Sequence, residues 1–497
     1  MTGKSAGHHG VMEFFRPQAG SYQQVLNSRL DIDGKSLWRI LSDADHSVGV
    51  VGVPLTYPPE PVNGCLITGL LTPPDARDYA YPPDLLQELE AQLGPYRLRH
   101  DEKYHKSNPH PFLQEQGEIL EYNLKTALYL MEHKPWDFFI IHFYGSDRIQ
   151  HEFWHLLDPD HPQHDPEERA RLGNVVLDFY QRLDGALASL EAALDEDTVL
   201  IVMSDHGFGP IHQFFNVNSW LLKQGYLKLK PHVVTRARRL LFELGVNYSV
   251  AARWLLKFGL GRRAASVGRA RREMLQRRMF LSLDDVDWSR SRAYSLGNLG
   301  QLYVNLRGRE AQGVVEPGAE YEALLEELSQ GLRALVDPDT GRPIVTQIFR
   351  REDVYAGPYA AASPDLAFLT HDMVYKPMGL SDFPSPRTFE PVYGSTGHHR
   401  MDGILICRGE GIFREGASIE GARIQDLAPT ILHLLGVPIP QEMDGVVLSD
   451  LFTEALGAQE PVIAAPVDPA LDEGKPGYTD DEEAKLMDML RRLGYVT

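Results

Sequence analysis

Four short runs of this chain are apolar almost without interruption. They are HSVGVVGVPLTYPP (46–59), WDFFIIHFYGSD (136–147), DTVLIVMSDHGFG (197–209) and DGILICRGEG (402–411). A strand with one face in water alternates apolar and polar residues, whereas a strand covered on both faces does not. Helical patterns separate the runs: PDLLQELEAQLG (83–94), EILEYNLKTALYLMEHK (118–134) and ERARLGNVVLDFYQRLDGALASLEAAL (168–194). Strand and helix in alternation predict an α/β domain with a mostly parallel central sheet and helices on both faces.

Composition narrows the class. Of 497 residues, 43% are hydrophobic and 24% charged, the balance of a globular protein, and the formal net charge is −20. That acidic surface argues against nucleic acid as a specific partner. No apolar run reaches the roughly 18–20 residues of a membrane span, so no membrane partner is expected. The only cysteines, Cys65 and Cys407, form no disulfide framework or zinc ribbon. A cytoplasmic location is the expectation.

The chain divides by style. Residues 1–225 read as the first part of the core and 350–455 as its second part. Between them, 226–349 reads as a cap or insertion, and 236–278 carries twelve Arg/Lys against two Glu. A polar, Pro-rich linker within 456–497 leads to an acidic terminal helix, DDEEAKLMDMLRRLGYV. The Arg-rich stretch suits a helical cap with a solvated face. The sharper reading is an electropositive wall, including Arg262, Arg263, Arg269, Arg271 and Arg272, over an anionic substrate or at a membrane surface.

Three clusters of metal-ligand residue types stand where strands should end or begin. SDRIQH places Asp147 and His151 four residues apart, on one face of a helix starting there. MSDHGFG places Asp205 and His206 on a tight turn, and GSTGHHR holds His398 and His399. Ligands of open parallel sheets bind outside the carboxyl ends of strands. Asp and neutral His suit Zn²⁺, Mn²⁺ or Fe, and two such ions about 4 Å apart suit phosphoryl transfer. Any one cluster alone reads equally as a helix cap or a packed histidine; three complementary clusters do not.

In order along the chain, SDRIQHEFWHLLDP, SDHGFGP, NVNSWLLKQGYLKLK, VDWSRSRAYSLGNLGQLYVNLRGRE, SPDLAFL, GHHRMDGILICRGEGI and DLAPTILHLLGVPIPQEMDG resemble the alkaline phosphatase superfamily, in its type I phosphodiesterase/nucleotide pyrophosphatase branch. The resemblance implies a metal-dependent hydrolase of phosphodiester or pyrophosphate bonds. It implies two divalent ions, zinc or else manganese, and a small phosphate-ester substrate such as a nucleotide. By the same resemblance Asp147, His151 and His399, the histidine preceding Arg400, hold one ion, and Asp205 and His206 belong to the other.

The family's first strand, its metal-binding aspartate and its Thr/Ser nucleophile have no counterpart here. TGKSAGHHGVMEFF (2–15) resembles the segment that follows them, with Ala6 in place of a proline; Thr2 is not assigned the nucleophile's role. An upstream coding stretch that supplies the missing pieces is the favoured expectation, and a truncated, non-catalytic metal- or ligand-binding protein the alternative. GKS lacks the preceding glycine and strand of a phosphate-binding loop. HEFWH (151–155) formally matches the H-E-x-x-H metalloprotease pattern, a rival that leaves the other two clusters unused. His142 reads as a buried strand residue, and His161, His164 and His212 as surface histidines.

Overall fold

A computed structural model describes residues 1–18, 20–96, 102, 104–246, 279–337, 340–379, 383–465 and 477–493 of the chain. Strands β1 (Val48–Val53), β2 (Gly64–Thr68), β3 (Ala80–Tyr81) and β4 (Phe138–Ile141) form one sheet in the order β3-β2-β1-β4. β1 runs parallel to both β2 and β4, and β3 closes one edge antiparallel. Helices occupy both faces, because successive side chains of a strand point opposite ways. Val48, Val50 and Leu66 pack with α1 (Leu37–Asp43) and the helix Leu427–Leu434. Val51, Cys65 and Ile67 pack with α2 (Leu85–Leu93) and with Leu130 of α3 (His110–His133). Each such buried aliphatic side chain contributes roughly 1.5–3 kcal/mol relative to exposure. The molecule is α/β, with parallel strands between helical layers.

After β4 the chain enters α4 (Gly145–Leu157), then α5 (Pro166–Leu172) and α6 (Val175–Glu191). The single helix expected over 168–194 is thus two. Gly173, at φ 66°, turns the backbone left-handed between them. Helices α3, α4 and α6 close around Phe112, Ile149, Phe153 and Phe179.

Six further strands build the side of the molecule that carries the three clusters. They are β5 (Leu200–Met203), β6 (Gly207–Pro210), β7 (Gln213–Asn216), β8 (Tyr375–Met378), β9 (Gly397–Arg400) and β10 (Leu405–Arg408). β5 pairs antiparallel with β10, β6 antiparallel with β9, and β7 parallel with β8. Among the described residues β4 pairs only with β1, and β5 only with β10. All four residues of β4 are half-buried, and Met203 of β5, Ile406 of β10 and the preceding Ile404 are exposed.

A second core surrounds a four-stranded antiparallel sheet in the order 293–294, 301–304, 366–370, 345–350, which takes strands from both sides of position 349. Val233–Glu243 is helical, and Arg238 on it pairs with Asp285 at 2.8 Å. Residues 247–278, with Arg262, Arg263, Arg269, Arg271 and Arg272, lie outside the described residues. The terminal helix Asp480–Leu493 buries Leu486 and Leu490 against Phe15, Leu26 and Leu71. Among the described residues no helix is long and apolar enough to cross a membrane.

Candidate metal centre

β4 ends at Ile141 and α4 begins at Gly145, so Asp147 falls in the first turn of a helix. There the free backbone N–H groups and the positive end of the helix dipole favour a carboxylate. His151 follows one turn later on the same face, its Nε2 3.4 Å from Asp147 Oδ1. The third group comes from far along the chain: His399 Nε2 lies 3.1 Å from Asp147 Oδ1 and 3.2 Å from His151 Nε2.

Gly397 makes that approach possible. A Cβ there would sit 2.5 Å from the carbonyl oxygen of Gln150 and 2.9 Å from Cβ of Trp154. Only glycine lets β9 lie against α4 at this point. The contact is locked by backbone bonds: Thr396 N donates to His151 O at 2.7 Å, and Ile211 N donates to Thr396 O at 2.8 Å.

Hydrogen bonding sets the imidazole tautomers. His151 Nδ1 faces the carbonyl oxygen of Gly397 at 2.8 Å, and a carbonyl only accepts, so Nδ1 carries the proton. In the neutral ring Nε2 therefore presents a lone pair toward Asp147 and His399. His206 repeats the device, with Nδ1 3.0 Å from Gly207 O. Its Nε2 lies 4.0 Å from Asp147 Oδ1 and 3.6 Å from Asp205 Oδ2. Its ring stacks on His399 with centroids 3.6 Å apart. Burial opposes ionisation of Asp147, but the imidazoles of His151 and His399 hold its carboxyl well below the usual range. Burial also pulls His399 down to about 4, so near neutral pH it is the unprotonated base a metal needs.

The donor set fits a metal ion. One ligand atom from each of Asp147, His151 and His399 lies within 4.8 Å of the other two. A tetrahedral ion with bonds of about 2.0–2.1 Å separates its ligands by about 3.3 Å; the three separations here are 3.1, 3.2 and 3.4 Å. Without an ion, His399 can donate from Nε2 to Asp147 Oδ1; in its other tautomer all three atoms present lone pairs that a cation between them would satisfy. Asp205 and His206 stand beside this triad, with the Asp205 side chain 60% exposed.

Several histidines are sorted by the same geometry. His398 points the other way from β9, is buried, and leaves Nδ1 without a hydrogen-bond partner among the described residues. His155, the second histidine of HEFWH, turns from the cluster to Thr396 Oγ1 at 3.2 Å and Glu168 Oε2 at 3.4 Å. The metalloprotease constellation is therefore not assembled. His161, expected at the surface, is buried with Nε2 3.1 Å from Thr396 O, and His164 Nδ1 lies 2.8 Å from His155 O. These histidines brace the loop before β9, a role their polar sequence context conceals. His142 stands just past β4, its backbone N–H on Val51 O and its ring within the fields of Asp205 and Asp147. At the chain start, His8 Nδ1 is 2.9 Å from Asp444 Oδ2, and Asp444 N donates to Gly3 O. His8 is thus held against the loop at Asp444.

Residues 1–376 match the model of the type I phosphodiesterase/nucleotide pyrophosphatase family. The chain belongs to this family. Similar solved structures are human and murine ectonucleotide pyrophosphatase/phosphodiesterase 5, at 14% and 13% identity with TM-scores of 0.43 and 0.42. Each alignment covers 91% of this chain and 86% of the other. Comparison with the curated proteins gives no match. This chain is thus a phosphodiesterase/nucleotide pyrophosphatase-like member of a hydrolase family.

Proposed function

We propose that this chain binds divalent metal through Asp147, His151 and His399, and serves the hydrolysis of phosphodiester or pyrophosphate bonds. The observation that carries the reading is the convergence of three ligand atoms at spacings a tetrahedral ion requires. Asp205 and His206 begin a second ion's shell beside the first. Zinc suits the nitrogen-rich, tetrahedrally spaced set best, with manganese the alternative. When bound, such ions supply Lewis acidity to phosphoryl oxygens. The chain's own residues hold the ligand tautomers through Gly397 O and Gly207 O, and wall the centre with Phe208 against His151 and His399. The substrate class is a small phosphate ester such as a nucleotide, and the two free cysteines suit a cytoplasmic setting.

The test pairs metal titration with hydrolysis of an aryl phosphodiester. Zinc or manganese should bind the wild type, and Asp205→Ala or His206→Ala should lower both metal stoichiometry and rate. Absence of metal binding would sink the proposal. A second reading is a non-catalytic metal-binding protein. Metal binding without hydrolysis would select it.

A further inference from the structure

Thr396 stands one residue before β9 and is buried, at 2% exposure. Its main chain reaches two other elements at once. Thr396 N donates to His151 O of α4 at 2.7 Å, and Thr396 O accepts from Ile211 N at 2.8 Å. Ile211 directly follows β6, the strand that continues from the Asp205–His206 turn. The side chain doubles the hold on α4. Oγ1 accepts from His155 N at 3.3 Å, and its hydrogen has Glu152 O at 3.3 Å and His151 O at 3.4 Å within reach. One residue thus joins the three segments that carry the candidate ligands of the centre.

His151 O and His155 N are the two groups that one turn of α-helix pairs with each other. Thr396 addresses both, its N–H on the carbonyl and its hydroxyl on the amide. A hydroxyl both donates and accepts, so threonine can meet either kind of backbone group, and a methyl can meet neither. The place matters because His151 itself lies in that turn. Gly397, next along the chain, supplies the carbonyl that fixes the His151 tautomer, and His399 follows two residues later. The Thr396 carbonyl is held as well. His161 Nδ1 accepts from Gln163 N at 3.0 Å, which leaves the proton on Nε2, 3.1 Å from Thr396 O. The His155 ring, with Nδ1 3.2 Å from Oγ1, is a neighbour but not the anchor. Without it the hydroxyl keeps the two carbonyls and His155 N.

We propose that Thr396 is a positioning residue of the metal centre, whose hydroxyl seats β9 on α4 so that His399 meets Asp147 and His151 at ligand spacing. The assignment rests on the metal-centre reading above and adds the group that sets its geometry. Removing a group that orients metal ligands without touching the ion typically costs about 10–100-fold in affinity.

Zinc is the probe, competed against a chromogenic chelator on wild type, Thr396→Val, Thr396→Ser and Thr430→Val. Thr430 is a matched control: it too is 2% exposed, and its hydroxyl joins Asp426 O and Leu448 N rather than α4 or β9. Both valine variants should melt at a lower temperature than wild type. Zinc affinity should fall about tenfold or more in Thr396→Val and stay within about threefold in Thr396→Ser and Thr430→Val. Equal affinity in wild type and Thr396→Val overturns the proposal. So does an equal loss in Thr430→Val, the mark of mere destabilisation, or in Thr396→Ser, which would show the hydroxyl to be irrelevant. If Thr396→Val does not fold, Thr396→Ala is judged by the same outcomes. If wild type binds no zinc, the metal reading fails on its own, and the metal-free protein decides Thr396. There the His151 Nδ1 proton, followed by nuclear magnetic resonance, should exchange with water about tenfold faster or more in Thr396→Val than in wild type and Thr396→Ser. Equal exchange rates in all three overturn the assignment.

Discussion

His399 Nε2 rests 3.1 Å from Asp147 Oδ1, although 252 positions separate the two residues. The pair joins the first turn of α4 to the middle of β9, and His151 completes it from the same helix. Because the centre is assembled across the core rather than within one segment, its parts can be tested separately.

Asp147→Asn keeps the shape of the side chain and removes the charge that both imidazoles face. Metal affinity should fall at least 100-fold, while the far-ultraviolet circular dichroism stays that of the wild type. Calorimetric titration with zinc or manganese reads the outcome; unchanged affinity would remove Asp147 from the ligand set.

His155→Gln separates the two histidines of HEFWH. His155 contacts Thr396 and Glu168, so its loss should lower stability by about 1–3 kcal/mol through unsatisfied buried groups. Metal affinity should change less than threefold. A collapse of metal binding with stability intact would revive the metalloprotease pattern.

Gly397→Ala asks whether the close approach of β9 to α4 is what builds the centre. The new methyl collides with backbone at Gln150, an overlap expected to cost about 1–3 kcal/mol. Displacement of β9 should carry His399 away from His151 and weaken metal binding at least tenfold. Thermal denaturation and metal titration together check it, and wild-type values in both would show that the strand has room to move.

Glu13→Gln carries a pH signature. Burial raises Glu13 from 4.5 to about 7, with Asn298 N and Lys376 opposing. Between those pH values the native state holds a proton that the unfolded chain has lost, so this group's stabilising contribution is full below 4.5 and fades as pH rises through 7. Removing the carboxyl should stabilise the chain at pH 8 relative to its difference from wild type at pH 4, by at most about 3 kcal/mol. Urea unfolding of metal-free protein at the two pH values measures it; a pH-independent difference would show that Glu13 titrates normally.

The sequence by itself determined the class of architecture and the short list of candidate ligands. Val48–Val53 is apolar on both faces, and that demands helices above and below. Asp147 and His151 are one helical turn apart, a spacing that puts both on one face wherever a helix forms. Local rules of that kind carry no information about contacts between distant segments. Resemblance to the family singled out His399 of GHHR, and the tertiary structure supplies the physical reason: alternation along β9 sends His399 to Asp147 and His398 into the core. Tertiary structure alone decided that His155 braces a loop, since one turn beyond His151 the face of α4 meets Thr396 and Glu168. Lys376 and Glu13 were silent in sequence: a lysine in a strand and a glutamate near a chain end look solvated until the fold closes over them. Burial changes the cost of their charges, and burial belongs to the packed molecule rather than to any stretch of it.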